Sequence, residues 1–141
     1  MLHRERTPLA REVQLARVLL VDDDVPARLT LKAVLEAGGY LVDAAASAAE
    51  AVGKLDEQQY ELVLSDLQME SPEAGLKVLA HARLMDYKPA TAILTTYQNK
   101  RTDVHRRVLI KPQDLPELLS KVADMISQRA ARMVEHQMRN V

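Results

Sequence analysis

The chain has no cysteine, phenylalanine or tryptophan, and aromatic residues make up only 3% of it. Without cysteine there are no disulfides and no thiolate chemistry, although the compartment stays open on that ground. With so few rings, the core has to be built from Leu, Val, Ala, Ile and Met. Neither charge sign prevails: 19 Lys and Arg stand against 20 Asp and Glu, for a formal net charge of -1. The chain as a whole makes no electrostatic case for nucleic acid, and no direct nucleic-acid partner is expected. Long apolar runs are missing too. No stretch is long enough to span a membrane, and Met1 to Arg17 is charged and lacks an apolar signal core. No membrane partner is expected, and a cytoplasmic location is the default. What remains is 141 residues, 48% of them hydrophobic, which suits one domain with a real core.

What the chain does have is a row of three carboxylates, Asp22, Asp23 and Asp24, directly after the apolar run Val18 to Val21. A short apolar run reads as a buried strand. Carboxylates this close repel each other unless something positive sits between them. A hard divalent cation such as Mg2+ takes such oxygen ligands. Three further runs end in polar residues. Leu62 to Ser65 is followed by Asp66, Ala92 to Leu94 by Thr95 and Thr96, and Val108 to Ile110 by Lys111 and Pro112. In open parallel sheets, ligands bind beyond the carboxyl ends of the strands. If these strands are parallel neighbours, Asp22, Asp23, Asp66, Thr95 and Lys111 converge on one pocket. Carboxylates for a metal, a hydroxyl and an ammonium together suit a phosphoryl group.

The rest of the chain alternates strands with helices. Residues 1–16 read as a polar N-terminal extension, with a helix expected over Leu9 to Ala16. A helix is expected from about Pro26 to Ala37, ended by Gly38-Gly39. A strand follows over about Tyr40 to Ala44. Ser47-Ala48-Ala49-Glu50 is a capping box that starts a helix running to about Glu57. Met69 to Ala74 reads as a loop, and Gly75 to about Met85 as a helix. A fourth strand covers about Thr91 to Leu94. Asp114 caps a last helix that can run to about Arg139, with Leu115, Leu118, Leu119, Val122 and Ile126 at helical spacing. This alternation argues for a parallel α/β sheet covered on both faces.

At this point the chain resembles the receiver domain of response regulators, the CheY-like family. The resemblance spans about Arg17 to Ile126 and rests on four motifs in order: VLLVDDD at 18–24, YELVLSDLQM at 60–69, AILTT at 92–96 and LIKP at 109–112. It implies a flavodoxin-like, three-layer α/β fold with a five-stranded parallel sheet. It implies Asp66 as phosphoacceptor, Mg2+ held by Asp22, Asp23, Asp66 and the backbone carbonyl of Gln68, and Thr95 and Lys111 on the phosphoryl group. The partner implied is a histidine kinase or a phosphotransfer protein, and the module is a signalling element, not a turnover enzyme. The receiver then occupies residues 17–128, with 129–141 as an extension of the last helix. Asp24 reads better as a helix cap than as a ligand.

Several features depart from the family. The stretch from Thr95 to Lys111 is short, and Tyr97 to Arg107 has almost no apolar face. The fourth helix is therefore expected to be shortened or lost. Val108 stands where the family usually has Tyr or Phe, so the usual route of reporting phosphorylation is altered or silent. Met69-Glu70 replaces Met-Pro, and Gly75 comes late. The last helix is elongated, and Ala130, Met133, Val134 and Met138 on its overhang suggest a homodimer. The four histidines show no ligand spacing.

Two other functions compete. One is a pseudo-receiver acting as a constitutive protein-interaction or dimerisation module, motivated by Val108 and the missing helix. The other is a haloacid-dehalogenase-like phosphatase, which also uses an Asp after its first strand. That family needs Asp-x-Asp followed by Gly-Thr or Gly-Ser; here Val25-Pro26 follows Asp24. It would also leave Asp66 unexplained.

Overall fold

The computed structural model describes residues 15–67, 69–71, 73–95, 108–110 and 115–139, with Thr95 and 108–110 through their backbone only. The elements are β1 (Arg17–Val21), α1 (Val25–Ala37), β2 (Leu41–Ala45), α2 (Ala48–Glu57), β3 (Leu62–Asp66), α3 (Ala74–Arg83), β4 (Ala90–Thr95), β5 (Val108–Ile110) and α4 (Leu115–Arg139). The sheet order is β2-β1-β3-β4-β5, and each neighbouring pair is parallel. β5 enters through its backbone pairing with β4, where Thr95 lies opposite Ile110. The helix expected to be reduced, over Tyr97 to Arg107, lies outside the described residues. So does the leader helix, except for its last two residues, which carry no regular structure.

Both faces of the sheet are covered. Along β1, Val18 and Leu20 point to one side and Leu19 and Val21 to the other, as strand alternation requires. Val18 and Leu20 join Leu31 and Leu35 of α1 and Leu118, Val122 and Met125 of α4 in one cluster. Leu19 and Val21 join Ala51 and Leu55 of α2 and Val78, Leu79 and Ala82 of α3 in the other. Strands buried on both faces need continuous apolar runs, which is why those runs are so plain in the sequence. Each fully buried leucine contributes roughly 2–3 kcal/mol by removal from water.

The helix ends follow local chemistry. Asp24 caps α1, its Oδ2 accepting from Ala27 N at 3.0 Å. Gly39 follows α1 with a φ of 101°, a left-handed conformation that glycine adopts without strain. Ser47 caps α2, accepting from Glu50 N at 3.1 Å. The returning half of that capping box is displaced: Glu50 Oε1 accepts from Ala46 N, at 2.8 Å, one residue further back than expected.

The last helix is a single 25-residue element. Arg129 ties it to the turn before β4, donating to Lys88 O at 2.9 Å and Tyr87 O at 2.6 Å. Lys88 sits there with a φ of 44°, and its ammonium reaches Arg83 O at the end of α3.

Tyr60 is buried in the α2/α3 cluster and donates to Asp43 Oδ2 at 2.8 Å. Burial, reinforced by the Asp43 carboxylate, pushes its hydroxyl well above the usual tyrosine value of 10.0. Burial also raises Tyr40 and Tyr87. A raised folded-state value favours folding while the ring is neutral. The contribution is therefore complete below the ordinary tyrosine value and drains away as pH climbs above it. Thermal melts across alkaline pH should show stability falling above about pH 10, with Tyr60 ionising only as the fold opens. A Tyr60 that titrates normally in the intact fold would contradict this.

Candidate functional site

The register of the sheet builds the site. Val21 pairs with Ser65, and Asp66 pairs with Leu94, so the ends of β1, β3 and β4 lie level. Asp66 is the last residue of β3, not the first of the loop, and is 6% exposed. Asp22 follows β1 and is fully buried, while Asp23 beside it faces solvent. One carboxylate oxygen from each of Asp22, Asp23 and Asp66 lies within 4.8 Å of the others.

Backbone contacts fix these groups. Asp22 N donates to Ala45 O at 3.1 Å, and Arg28 of α1 donates to Asp22 O at 2.8 Å. Asp22 Oδ1 accepts from Asp24 N at 3.0 Å, which turns the chain from β1 into α1. On the other strand, Leu67 N donates to Leu94 O at 3.1 Å and Ser65 Oγ to Asp66 O at 3.3 Å. Gly75, near the start of α3, packs straight against this segment. A Cβ there would fall far inside contact distance of Asp66 O and 3.3 Å from Ser65 Oγ.

The structure thus brings Asp22, Asp23 and Asp66 together and leaves Asp24 as a cap. Thr95 ends β4, level with this cluster, through its backbone; Gln68 and Lys111 lie outside the described residues. The donor set suits Mg2+: three hard carboxylate oxygens, two of them on buried residues, with no nitrogen or sulfur among them. Sequence reasoning missed Arg28, whose role depends on reach from a helix, and Glu70. Glu70 Oε2 accepts from Ala48 N at 3.0 Å, joining the loop after Asp66 to the start of α2. It also missed His81, whose Nε2 lies 2.8 Å from Asp56 Oδ1 between α3 and α2.

A doubly wound parallel sheet with an acidic, cation-ready pocket at its carboxyl edge defines a flavodoxin-like α/β domain. Comparison with known proteins gives the family. The response regulator receiver domain model matches residues 18–123, and the chain belongs to that family. It is 32% identical over 107 residues to the transcriptional regulatory protein ZraR of Escherichia coli, a match covering 72% of this chain and 24% of that protein. The chain therefore corresponds to about a quarter of that relative's length. Among solved structures it is similar to a CheY-like receiver domain protein of Methanospirillum hungatei, with 25% identity and a TM-score of 0.74, covering 84% of this chain and 99% of the other. The response regulator TrrA of Thermotoga maritima, solved with Mg2+ and BeF, is 30% identical with a TM-score of 0.70, covering 79% of this chain and 99% of the other. Among the described residues no helix is long and apolar enough to cross a membrane.

Proposed function

We propose that this receiver domain accepts a phosphoryl group on Asp66 from a histidine kinase or a phosphotransfer protein. The observation that carries the reading is the convergence of Asp22, Asp23 and Asp66 at the level ends of β1 and β3. A carboxylate oxygen of Asp66 attacks the phosphorus, the phosphorus–nitrogen bond of the donor breaks, and the donor imidazole leaves with its electron pair. Asp22, Asp23 and Asp66, with the backbone carbonyl of Gln68, would hold Mg2+. When bound, it supplies positive charge to the phosphoryl oxygens in a transfer that is mostly positioning and charge stabilisation. Thr95 and Lys111 are proposed to bind those oxygens through a hydroxyl and an ammonium. TrrA, solved with Mg2+ and a fluoroberyllate, supports this use of the fold.

The test is incubation with a small phosphodonor and Mg2+. The wild type should take up one acyl phosphate, and Asp66→Asn or removal of Mg2+ by a chelator should reduce uptake to background. An Asp66→Asn variant labelled as well as the wild type would refute the assignment. Absence of label in the wild type would instead favour a constitutive interaction module.

We further infer that the overhang of α4 pairs with a second copy of the chain. Met133, Val134 and Met138 stand 36%, 54% and 71% exposed on it. A stripe of this kind is the sort of surface that a partner helix covers. Sedimentation of the full chain against a version ending at Gln128 should give a dimer and a monomer respectively. Equal monomeric masses would end the idea.

A further inference from the structure

The first amides of a helix have no acceptor within it. In α2 the third amide has a local partner, with Ser47 Oγ accepting from Glu50 N. Ala48 N, the first amide of the helix, is served from elsewhere: its acceptor is Glu70 Oε2, 22 residues away in sequence and 3.0 Å away in space. Glu70 belongs to the segment that joins Asp66 to α3. That segment is held at its start by Leu67 N on Leu94 O and at its end by the close approach of Gly75 to Asp66. Met69 packs into the α2/α3 cluster. Glu70 fastens the middle, and it does so with a carboxylate at the positive end of a helix.

We propose that Glu70 is a positioning residue: its bond to Ala48 holds residues 69–71 of the β3–α3 loop in the arrangement that favours Mg2+ beside Asp66. The inference rests on the reading of Asp66 and Mg2+ given above. The effect works through populations. If the loop samples other conformations, the apparent Mg2+ affinity is reduced by the fraction of time the competent one is occupied. A bond made only in the competent conformation raises that fraction. Linkage makes the effect reciprocal, so bound Mg2+ must strengthen the Glu70–Ala48 bond by the same factor.

The bond can be cut from either side, in the full chain and without a phosphodonor. Glu70→Ala removes the acceptor. Ala48→Pro removes the donor, and it suits the helix, because proline is favoured at the first helical position. Ser47 before it is extended, with φ -151° and ψ 165°, as a residue preceding proline should be. Calorimetric titration with Mg2+ should show binding weakened roughly two- to fivefold in each single variant, the scale of a carboxylate at a helix N-terminus. Glu70→Gln should fall between. The double variant should be no weaker than either single one, since both remove the same contact. Amide exchange at Ala48 should be faster in Glu70→Ala, and in the wild type it should slow when Mg2+ is added. Glu70→Ala binding Mg2+ as tightly as the wild type, or a double variant showing the full sum of both losses, would overturn the role of Glu70 alone. A wild type that binds no Mg2+ would take down both this inference and the reading beneath it.

Discussion

Gly75→Ala is expected to destabilise the domain and disable the site together. The new methyl group would be driven into the backbone oxygen of Asp66, which has no flexible end to move aside. Alanine favours a helix over glycine by about 1 kcal/mol, which offsets part of the damage. Overpacking against backbone costs about 1–3 kcal/mol or more, and here β3 and the first turn of α3 must separate. A net loss of about 2 kcal/mol lowers Tm by roughly 4–8 °C in a chain of this size. Asp66 would shift as well, and a displacement near 1 Å at a reacting group costs about 100-fold in rate. Phosphoryl uptake should fall much further than stability. Gly53→Ala is the internal control. Gly53 lies in α2 with nothing within 4 Å of an added Cβ, so that variant should be slightly more stable and fully active. A Gly75→Ala protein that melts and labels like the wild type would show that the close approach is not required.

The second large effect concerns Asp23. Asp23→Asn should weaken Mg2+ binding at least about tenfold, because a carboxylate is lost from a three-carboxylate cluster. The same change should raise the Tm of the metal-free protein by a few degrees, on the order of 2–5 °C. Three carboxylates within 4.8 Å of one another repel, and neutralising the exposed member relieves two of those repulsions without burying a new group. Added Mg2+ should then stabilise the wild type strongly and the variant little, since a ligand stabilises only in proportion to its occupancy of the folded state. Melting curves with and without Mg2+ read both effects. A variant that is less stable without metal, or that gains as much from Mg2+ as the wild type, would contradict this account of the cluster.

These expectations differ in how far the sequence already showed them. The strand ends were plain, because doubly covered parallel strands must be apolar along their whole length. Val18 to Val21 and Leu62 to Ser65 therefore stood out, and so did the carboxylates that follow them. Asp24 was legible as a cap for the same local reason. Contacts between segments were not legible. That Gly75 abuts Asp66 depends on how α3 leaves the sheet, and its spacing in the loop looked only like a late glycine. Glu70 stood out as a departure from Met-Pro, yet its acceptor role depends on α2 lying beside the loop. Arg129 opens the stretch expected to overhang the domain, while its contact is with two carbonyls before β4. Glu50 obeyed the capping-box spacing and still reached Ala46, a choice made by side-chain geometry that spacing does not encode.

The two bonds from Arg129 have a consequence for direction. They pin α4 to the turn at Tyr87 and Lys88 just before its exposed end begins. An α-helix turns by about 100° per residue, so beyond that pin the bearing of Met133, Val134 and Met138 around the helix axis is set by a count of residues. One residue inserted between Arg129 and Met133 would leave the composition of the stripe untouched and swing it through a quarter turn or more. The compass heading of the stripe, more than its greasiness, then decides what it can meet.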